Sequence, residues 1–368
     1  YWQPPHQPAV TPLSYTESVK CVRQNLEYHV ESRMVSDVPV GVFLSGGIDS
    51  TSIVALMKRQ VPKDLHSFTV GFDFAPGSPG DRKFNVDMRY ASAAAQAIGT
   101  HHHRIMIQEG FLEALLPYFV YQMDEPVAQH SIIQTAFVAA LARQTGIPVL
   151  LSGDAGDELF LGYRHYQHDR QLERILKLPA VLRRHIVSPV LQRSSRFRHL
   201  APKIQSKDAT RRYLEWMRFF RLEESAALLG NQPEHLQAIL AAKLNPILDT
   251  YQGREFAERI AYTSLKLWIA EDSNMRTDKM SMMMSVETRA PMEGHRFVEM
   301  AMGIPLVYKL HAHDSKRIYK DAVRDLLPVE ILERSKWGFI PPTSDWLRTV
   351  FRPLVNRYLS EDYIRSAG

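Results

Sequence analysis

The sequence of 368 residues lacks the features that define several large classes of protein. It contains a single cysteine, Cys21, so no disulfide framework, zinc knuckle or C-x-x-C redox pair can be built from it. It has no apolar run long enough to span a bilayer, and no basic-then-apolar signal peptide stands at its start. The 45 Lys and Arg residues exceed the 40 Asp and Glu residues only slightly, which does not predict nucleic-acid binding. We therefore expect a cytoplasmic protein with no membrane and no nucleic acid as partner.

The composition is that of a folded chain. Hydrophobic residues make up 45% and charged residues 23%, enough for a large core or for two fused subdomains. The first residue is Tyr1, and residues 1–13 contain four prolines. We interpret residues 1–13 as a semi-rigid linker from a preceding domain and residues 14–368 as the domain that follows it.

Strand and helix patterns alternate in the first part of this domain. After a helix at about 14–36, strands are predicted at 38–45, 66–73, 101–108 and 147–153, with helices at 51–60, 89–98 and 131–146. This alternation predicts a parallel sheet covered by helices on both faces over residues 14–165. The Gly/Pro-rich segment 73–86 predicts a loop. Residues 166–368 are predicted to be mainly helical.

The first chemical motif is LSGGIDS, which spans Leu44–Ser50 and joins a predicted strand to a helix. Gly46 and Gly47 allow the backbone to approach a ligand closely. The helix that follows presents unpaired N–H groups and the positive end of its dipole, and Ser45 and Ser50 add hydroxyl donors. Together these features predict a site for a polyanion, most naturally pyrophosphate. The alternative is an ordinary strand-to-helix turn with Ser45 as a helix cap.

Asp49 lies within this motif, where a carboxylate repels phosphate unless a cation separates the two. Mg²⁺ prefers one or two carboxylates together with phosphate oxygens. Asp49 therefore predicts a magnesium ion beside the bound phosphates. The alternative is a carboxylate that only stabilises the helix dipole.

The second motif, LSGDAGDELF at 151–160, follows another predicted strand and places Asp154, Asp157 and Glu158 within about one helical turn. Three acids so close are costly without a metal or a raised pKa. At the carboxyl end of a parallel strand they would face the same crevice as the first motif. We expect Asp157 to join Asp49 around magnesium and Asp154 to lie near a carboxylate substrate. A solvated acidic helix start is the alternative.

The two motifs together resemble those of a known family. LSGGIDS resembles the pyrophosphate loop of the N-type ATP pyrophosphatases, and no Walker A pattern is present. That likeness alone leaves asparagine synthetases, GMP synthetase, argininosuccinate synthetase and tRNA-modifying enzymes open. The second motif resembles the S-G-E/D-G-x-D-E-L-F-G-G-Y run of asparagine synthetases. Further segments agree with that family in order over roughly residues 14–350, namely DEP at 124–126, TDKMSM at 277–282, VETRAP at 286–291 and RSKWGF at 334–339.

The resemblance implies a fold and a set of site residues. The fold is α/β, with a Rossmann-like, adenine-nucleotide α-hydrolase-like ATP-binding core at 14–165 and a mainly helical, substrate-side region at 166–368. Lys336 would stabilise the charge that develops during acyl transfer, and Asp154 would lie at the activated carboxylate. The residues implied for ATP are Leu44, Ser45, Gly46, Gly47, Asp49, Ser50, Val70, Ser152 and Gly153, with Asp49 and Asp157 implied for magnesium.

The resemblance also implies a reaction. ATP converts a carboxylate, with aspartate favoured, into an acyl-adenylate, and ammonia then attacks it. The ammonia would come from glutamine hydrolysed by an N-terminal glutaminase domain, and a homodimer is left open. Four residues depart from the family pattern, namely Asp154, Gln129, His130 and Leu161. Asparagine synthetases proper usually carry Glu at the position of Asp154. These departures leave open another acid as substrate, as in β-lactam or peptide cyclases. A tRNA-modifying pyrophosphatase and a non-catalytic nucleotide-binding protein are further alternatives.

Two other patterns receive a structural interpretation. His101, His102 and His103 lie in a predicted strand, where side chains alternate between faces, so the three cannot all bind one ion. The Arg-rich stretch 192–213 has too few aromatic residues for a platform that stacks bases. We interpret it as a solvated helical face or a partner surface.

Overall fold

A computed structural model describes residues 2–7, 13–127, 129, 131–195, 197–205, 207–218, 220–253, 255–312, 314–334, 338 and 340–367. The chain divides into two compact units, and neither is continuous in sequence. The first unit comprises Tyr1–Ser18, Gly156–Ile269 and Val298–Tyr319. The second unit comprises Val19–Ala155, Ala270–Phe297 and Lys320–Gly368.

The second unit is built on a five-stranded sheet in which every pairing is parallel. Its strands are β1 Val40–Phe43, β2 His66–Phe72, β3 His101–Ile107, β4 Val149–Leu151 and β5 Glu287–Arg289. Their order is β3-β2-β1-β4-β5. The chain therefore builds outward from β1 in one direction and then continues on its other side. The predicted α/β class with a parallel sheet is confirmed.

Helices account for most of the remaining structure. Those of the sheet-containing half of the sequence are α1 Tyr15–Met34, α2 Ile48–Gln60, α3 Pro79–Phe84, α4 Val86–Ile98, α5 Leu112–Met123 and α6 Ile132–Gln144. The next group is α7 Gly156–Leu159, α8 Arg164–Leu176, α9 Ala180–Leu182, α10 Ser188–Arg193, α11 Ala209–Met217, α12 Leu222–Leu228, α13 Pro233–Leu248 and α14 Phe256–Ser264.

The last group of helices is α15 Asn274–Met282, α16 His295–Gly303, α17 Leu306–Lys309, α18 Arg317–Val323, α19 Val329–Leu332, α20 Thr343–Arg348, α21 Arg352–Tyr358 and α22 Glu361–Ala367. Two π-helical segments, Arg183–Val187 and Leu265–Ser273, adjoin α-helices. Short 3₁₀ segments lie at Glu109–Phe111, Arg198–Leu200, Pro202–Ile204, Pro291–Glu293 and Arg324–Leu326. None of the helices among the described residues is long and apolar enough to cross a membrane.

Each unit has an apolar core of its own. In the sheet unit, α6 packs against β2 and β3 over a cluster whose aromatic members are Phe68, Phe72, Phe119, Trp346 and Phe351. In the other unit, α8, α11, α13 and α14 pack around a second cluster that includes Tyr166, Leu248 and Ile260. Burial of such side chains is worth about 1.5–3 kcal/mol each and fixes the strands whose ends carry the motifs.

Three expectations about individual elements need correction. The segment 73–86 is not only a loop, because Ser78 caps α3 by accepting a hydrogen bond from the Asp81 N–H. Helix α5 was not predicted, and its apolar sequence contains Pro117. Strand β5 lies within the stretch expected to be helical. It has only three residues, Glu287 to Arg289, and their polar side chains give no strand signal.

The histidine run shows the alternation expected of a strand. The ring of His102 is 2.9 Å from the Ser67 hydroxyl on one face of the sheet, whereas His103 Nε2 is 2.9 Å from His66 Nδ1 on the other. Among the described residues, no group of three or more His, Cys, Asp or Glu side chains is arranged to hold a metal ion. The run therefore lies on the edge strand β3 with its side chains on alternating faces.

Candidate nucleotide-binding site

The two sequence motifs follow β1 and β4, the neighbouring strands between which the strand order reverses. β1 pairs with β2 on one side and with β4 on the other, with Val42 opposite Leu151 in the β1–β4 register. The first motif follows β1 and the second follows β4. Ligands of open α/β sheets bind at such a switch point, in the crevice beyond the carboxyl ends of the strands.

The loop after β1 has a conformation that requires glycine at one position. Leu44 is buried and its N–H donates to the Phe68 carbonyl at 2.9 Å, which continues the β1–β2 pairing. Gly46 has φ +68, and a Cβ there would overlap the backbone of Tyr90 and Ala91 on α4. A side chain at this position is therefore excluded both by conformation and by space. Gly47 is open, since an added Cβ would meet only the Ser45 Oγ at 3.3 Å.

Serine hydroxyls hold this loop from within. The Ser45 N–H donates to the Ser50 Oγ at 3.2 Å, and the two hydroxyl oxygens are 3.0 Å apart. The Gly47 N–H donates to the Ser45 Oγ at 3.3 Å. Helix α2 then begins at Ile48 without a side-chain cap on its first turn. The N-cap residue, Gly47, has no side chain that could accept from the first N–H groups, an arrangement suited to the anion that the sequence predicts here.

The second motif lies directly against this helix start. A Cβ added to Gly153 would come within 2.9 Å of the Ser50 nitrogen and 3.1 Å of the Asp49 Cβ. Ser152 is buried, and its N–H donates to the Arg289 carbonyl of β5 at 2.9 Å. The sheet therefore brings Asp49, Ser50, Ser152 and Gly153 together, as expected for two halves of one nucleotide site.

Magnesium is compatible with the donors at this point. Asp49 is half-buried in the first turn of α2 and presents hard carboxylate oxygens beside N–H groups suited to phosphate. Mg²⁺ commonly takes only one or two carboxylates and completes its shell with phosphate oxygens and water. A cluster of three protein ligands is therefore not required. Asp49 would hold the ion, which would neutralise phosphate charge when bound.

A cavity of about 410 Å³ opens beyond Ser152 in the same unit. Asp154 lies in its wall, and the Ser273 hydroxyl is 3.5 Å from the Asp154 Oδ1. Arg276 donates to that hydroxyl at 3.0 Å. The residues that line the cavity are Ser152, Asp154, Asn274, Met275, Thr277, Asp278, Thr288, Ala290 and Glu293. Three of them are carboxylates, and no Lys or Arg from the described part of the chain lines it.

Asp157 belongs to the other unit and has a cationic partner there, while its predicted role beside Asp49 at magnesium stays a prediction. The Lys316 Nζ is 2.8 Å from the Asp157 Oδ1, and both side chains are largely buried. A Cβ on Gly162 would overlap both members of this ion pair. Lys316 itself has φ +54, an uncommon conformation for a residue with a side chain. Lys316 is a residue that the motifs did not single out. One indication of this ion pair is present in the sequence, which is the glycine at position 162, where a side chain would collide with Asp157 and Lys316.

Glu158 lies next to Asp157 and is fully buried. Burial first, and then the neighbouring Asp157 charge, together raise the pKa of its carboxyl to about 7. The Tyr163 hydroxyl donates to the Glu158 Oε1 at 2.9 Å, which partly offsets these effects. The sequence left a metal or a raised pKa open as the way to accommodate three close acids, and the pKa of Glu158 is the one that is raised.

The roles predicted for Val70 and Lys336 stay predictions. Val70 is a buried core residue in the middle of β2, so its side chain packs in the apolar cluster of the sheet unit. Its contact with adenine remains a prediction. Lys336 lies outside the described residues, so its role remains a prediction from the sequence.

Arg334 is the site residue that sequence reasoning missed. It donates to the Ser45 carbonyl at 3.1 Å, forms a close ion pair with Asp87 on α4, and lies 4.4 Å above the Tyr90 ring centroid. Its side chain is only 6% exposed. The only signal was its place in the RSKWGF run. It ties the segment before Lys336 to the phosphate loop.

The chain matches the Asparagine synthase family over residues 21–368. It belongs to that family. A relative in Mycobacterium bovis is 33% identical over 325 residues, which cover 88% of this chain and 48% of that protein. Asparagine synthetase [glutamine-hydrolyzing] 1 of Bacillus subtilis is 30% identical over 349 residues, covering 93% of this chain and 52% of that protein.

The chain therefore spans about half the length of the asparagine synthase family members it matches. Among solved structures, the NH3-dependent NAD synthetase of Campylobacter jejuni is similar over 66% of this chain and 99% of that chain. The sequence identity is 13% and the TM-score 0.29. We draw no argument from a similarity at this level.

Proposed function

We propose that this chain activates a carboxylic acid with ATP, releasing pyrophosphate, and transfers the acyl group from the adenylate to ammonia. The favoured reaction is the conversion of aspartate to asparagine. The observation that carries the proposal is the open, uncapped start of α2 at the sheet switch point, with Ser152, Gly153 and the Asp154 cavity beside it. Membership of the asparagine synthase family supports ATP-dependent amide formation.

The chemistry proceeds in two balanced steps. In the first, a carboxylate oxygen attacks the α-phosphorus of ATP, an O–P bond forms, and pyrophosphate leaves. In the second, the ammonia nitrogen attacks the acyl carbon, loses a proton, and AMP leaves. Magnesium, held by Asp49, would neutralise the phosphate charge. The N–H groups at the start of α2 would bind the leaving pyrophosphate, and Lys336 would stabilise negative charge on the reacting oxygens.

The cavity suggests which carboxylates are accepted. Asp154, Asp278 and Glu293 give its wall a negative character, and Asn274 donates to the Glu293 Oε2 at 2.6 Å. Such a wall disfavours a purely anionic acid and favours a substrate that also carries an ammonium group. Aspartate has one. We therefore propose an amino acid as the substrate.

The test is ATP–pyrophosphate exchange with two acids that differ only in that group. Aspartate and succinate share the carbon chain and both carboxylates, but only aspartate has the α-ammonium. Exchange with aspartate and little with succinate is expected. Asp49→Ala should abolish exchange, while Asp345→Ala, an exposed carboxylate on α20, should leave it unchanged. Exchange with neither acid, or equally with both, would argue against the proposed substrate.

The same chemistry on a larger amino acid is the second candidate. A volume of about 410 Å³ falls in the range of roughly 300–1,000 Å³ that accommodates drug-sized ligands. The exchange assay should therefore also include amino acids as long as lysine and amino acids within peptides. Exchange only with a larger acid would support the proposed mechanism but show that aspartate is not the substrate.

The source of nitrogen is a separate proposal. The family suggests ammonia made by a glutaminase domain, and this chain spans about half the length of the relatives it matches. Amide formation by this chain should then depend on ammonium chloride and not on glutamine. We also propose a homodimer, and analytical sedimentation of the chain tests it.

Two other results would favour a different function. ATP cleavage that requires tRNA would favour a tRNA-modifying enzyme, and ATP binding without pyrophosphate exchange would favour a non-catalytic nucleotide-binding protein.

A further inference from the structure

A short helical segment in the other unit has an unusual distribution of side chains. Helix α9, the π-helical stretch Arg183–Val187 and helix α10 follow one another with helical dihedral angles at both junctions, so residues 180–193 form one helix. Pro189, which lacks an N–H, lies near the start of α10, where the wider turn ends. We call this segment the 180–193 helix.

The 180–193 helix buries an arginine and exposes its aliphatic residues. Arg183 is 4% exposed. It donates to the Leu178 carbonyl at 3.1 Å and to the Ile204 carbonyl at 2.5 Å. In contrast, Leu182, Ile186 and Val190 are 40%, 57% and 60% exposed. This is the reverse of the usual pattern, and the two hydrogen bonds of Arg183 fix which face points outward.

The exposed aliphatic residues form a continuous stripe. Leu182, Ile186 and Val190 are spaced four residues apart, so they lie on one side of the helix. Nearby, Leu178, Val181 and Phe197 are also exposed, at 39%, 69% and 43%. Contiguous exposed apolar surface on a soluble fold marks a site of interaction.

The surroundings of the stripe are basic throughout. Residues 174–207 contain nine Lys and Arg residues and no Asp or Glu. Six of these cations are exposed and form no ion pair with any described residue, namely Arg174, Lys177, Arg184, Arg193, Arg198 and Lys207. An aliphatic stripe within an uncompensated cationic surface is complementary to a surface that is both anionic and apolar.

We propose that the 180–193 helix docks the protein on the surface of an anionic lipid bilayer. The aliphatic stripe would enter the boundary between headgroups and acyl chains, while the flanking cations contact the headgroup phosphates. RNA is disfavoured because only one of the six exposed apolar residues named above, Phe197, is an aromatic that could stack on a base. This departs from the sequence expectation of no membrane partner, which considered spanning segments. Peripheral docking needs none.

The direct test is co-sedimentation of this chain with vesicles. Vesicles of phosphatidylglycerol and phosphatidylcholine are compared with vesicles of phosphatidylcholine alone, at low and high salt. The protein should bind the anionic vesicles and be released by salt. Ile186→Ser should lower the partition coefficient about tenfold, because one buried aliphatic side chain is lost. Arg184→Glu should lower it by about tenfold as well, since a cation is replaced by an anion.

Matched variants separate docking from general effects. Ile239→Ser and Lys243→Glu change an exposed isoleucine and an exposed cation on α13, outside the basic stretch 174–207. Both should bind vesicles like the unchanged chain, and circular dichroism should show all four variants folded. Equal binding to neutral and anionic vesicles, no binding, or equal losses in the α13 variants would overturn the proposal. Concentration-dependent self-association that Ile186→Ser abolishes, without vesicle binding, would assign the surface to a second copy instead.

Discussion

Gly46 and Gly77 share a left-handed backbone but differ in their surroundings. Gly46 has φ +68 and lies against the backbone of α4, whereas Gly77 has φ +74 with nothing within 4 Å of a Cβ built on it. Substitution by alanine costs about 1–2 kcal/mol at either site because of the backbone conformation. At Gly46 the overlap adds about 1–3 kcal/mol.

We therefore expect Gly46→Ala to destabilise the chain more than Gly77→Ala and to reduce ATP–pyrophosphate exchange at least tenfold. Gly77→Ala should retain exchange near the original rate. Denaturant unfolding and the exchange assay measure the two effects. Equal losses of exchange in both variants would show that the loop at Gly46 has no special role.

Glu158 makes stability depend on pH. The pKa of its carboxyl is raised from an ordinary 4.5 to about 7, so the folded state holds a proton that the unfolded state releases. The stabilisation is complete below pH 4.5 and is lost as the pH rises through about 7. A displacement of this size corresponds to about 3 kcal/mol.

Glu158→Gln should flatten this part of the stability profile, because the amide remains neutral and still accepts from Tyr163. The measurement is the free energy of unfolding between pH 5 and pH 8. Glu330→Gln, an exposed carboxylate on α19, should leave the profile unchanged. A slope that persists in Glu158→Gln would contradict the assignment of the titration to this residue.

Arg334 connects the late loop to the phosphate loop by two charge-assisted contacts, to the Ser45 carbonyl and to Asp87. Lysine keeps the charge but cannot reach both partners with a planar fork. Arg334→Lys should therefore slow exchange at least tenfold. Arg348→Lys, at an exposed arginine that is paired with Asp345, should have no effect. Unchanged exchange in Arg334→Lys would remove Arg334 from the site.

At the scale of elements, most elements with a strong period were predicted, although the apolar helix α5 was missed. Strands β1, β2 and β4 carry buried apolar residues, and helices α2, α4 and α6 have helical spacing. Strand β3, which is largely exposed, was predicted from its place in the alternation of strands and helices. Strand β5 pairs with β4 through its backbone alone, so its Glu-Thr-Arg sequence has no strand pattern. Helix α3 depends on a cap at Ser78 within a segment rich in Gly and Pro. Both are set by tertiary context.

Helices α8 and α11 are joined by a buried ion pair. Arg212 donates two hydrogen bonds to Asp169, at 2.8 and 2.6 Å, and Trp216 donates a third at 2.9 Å. Burial still raises the pKa of Asp169 despite the arginine. Removing one partner leaves a buried charge, which costs about 3–5 kcal/mol.

Arg212→Met should therefore destabilise the chain strongly, while Asp169→Leu with Arg212→Met should recover most of the loss, since neither charge remains. Urea unfolding of the two single variants, the double variant and the original chain measures this coupling. If the double variant is as unstable as the sum of the single variants, the pair does not act as a unit.

For the molecule as a whole, the sequence located the two loops of the proposed nucleotide site but not all the residues that contact them. Both motifs could be placed because each follows a predicted strand, and parallel strands end on one side of a sheet. The contacts of Arg334 and Lys316 could not be predicted, because their partners are distant in sequence. Arg334 pairs with Asp87, 247 positions away, and Lys316 pairs with Asp157, 159 positions away. Leu161, with φ +58, occupies a conformation that its residue type gave no reason to expect.

The most direct test of acyl-adenylate formation follows one oxygen atom. Aspartate labelled with ¹⁸O in its side-chain carboxylate is incubated with ATP, magnesium, ammonium chloride and this chain, and the AMP is analysed by mass spectrometry. Attack of the carboxylate on the α-phosphorus followed by attack of ammonia on the acyl carbon must leave one ¹⁸O in each AMP that is formed with asparagine. Unlabelled AMP, or formation of ADP and phosphate in its place, would contradict the proposed mechanism.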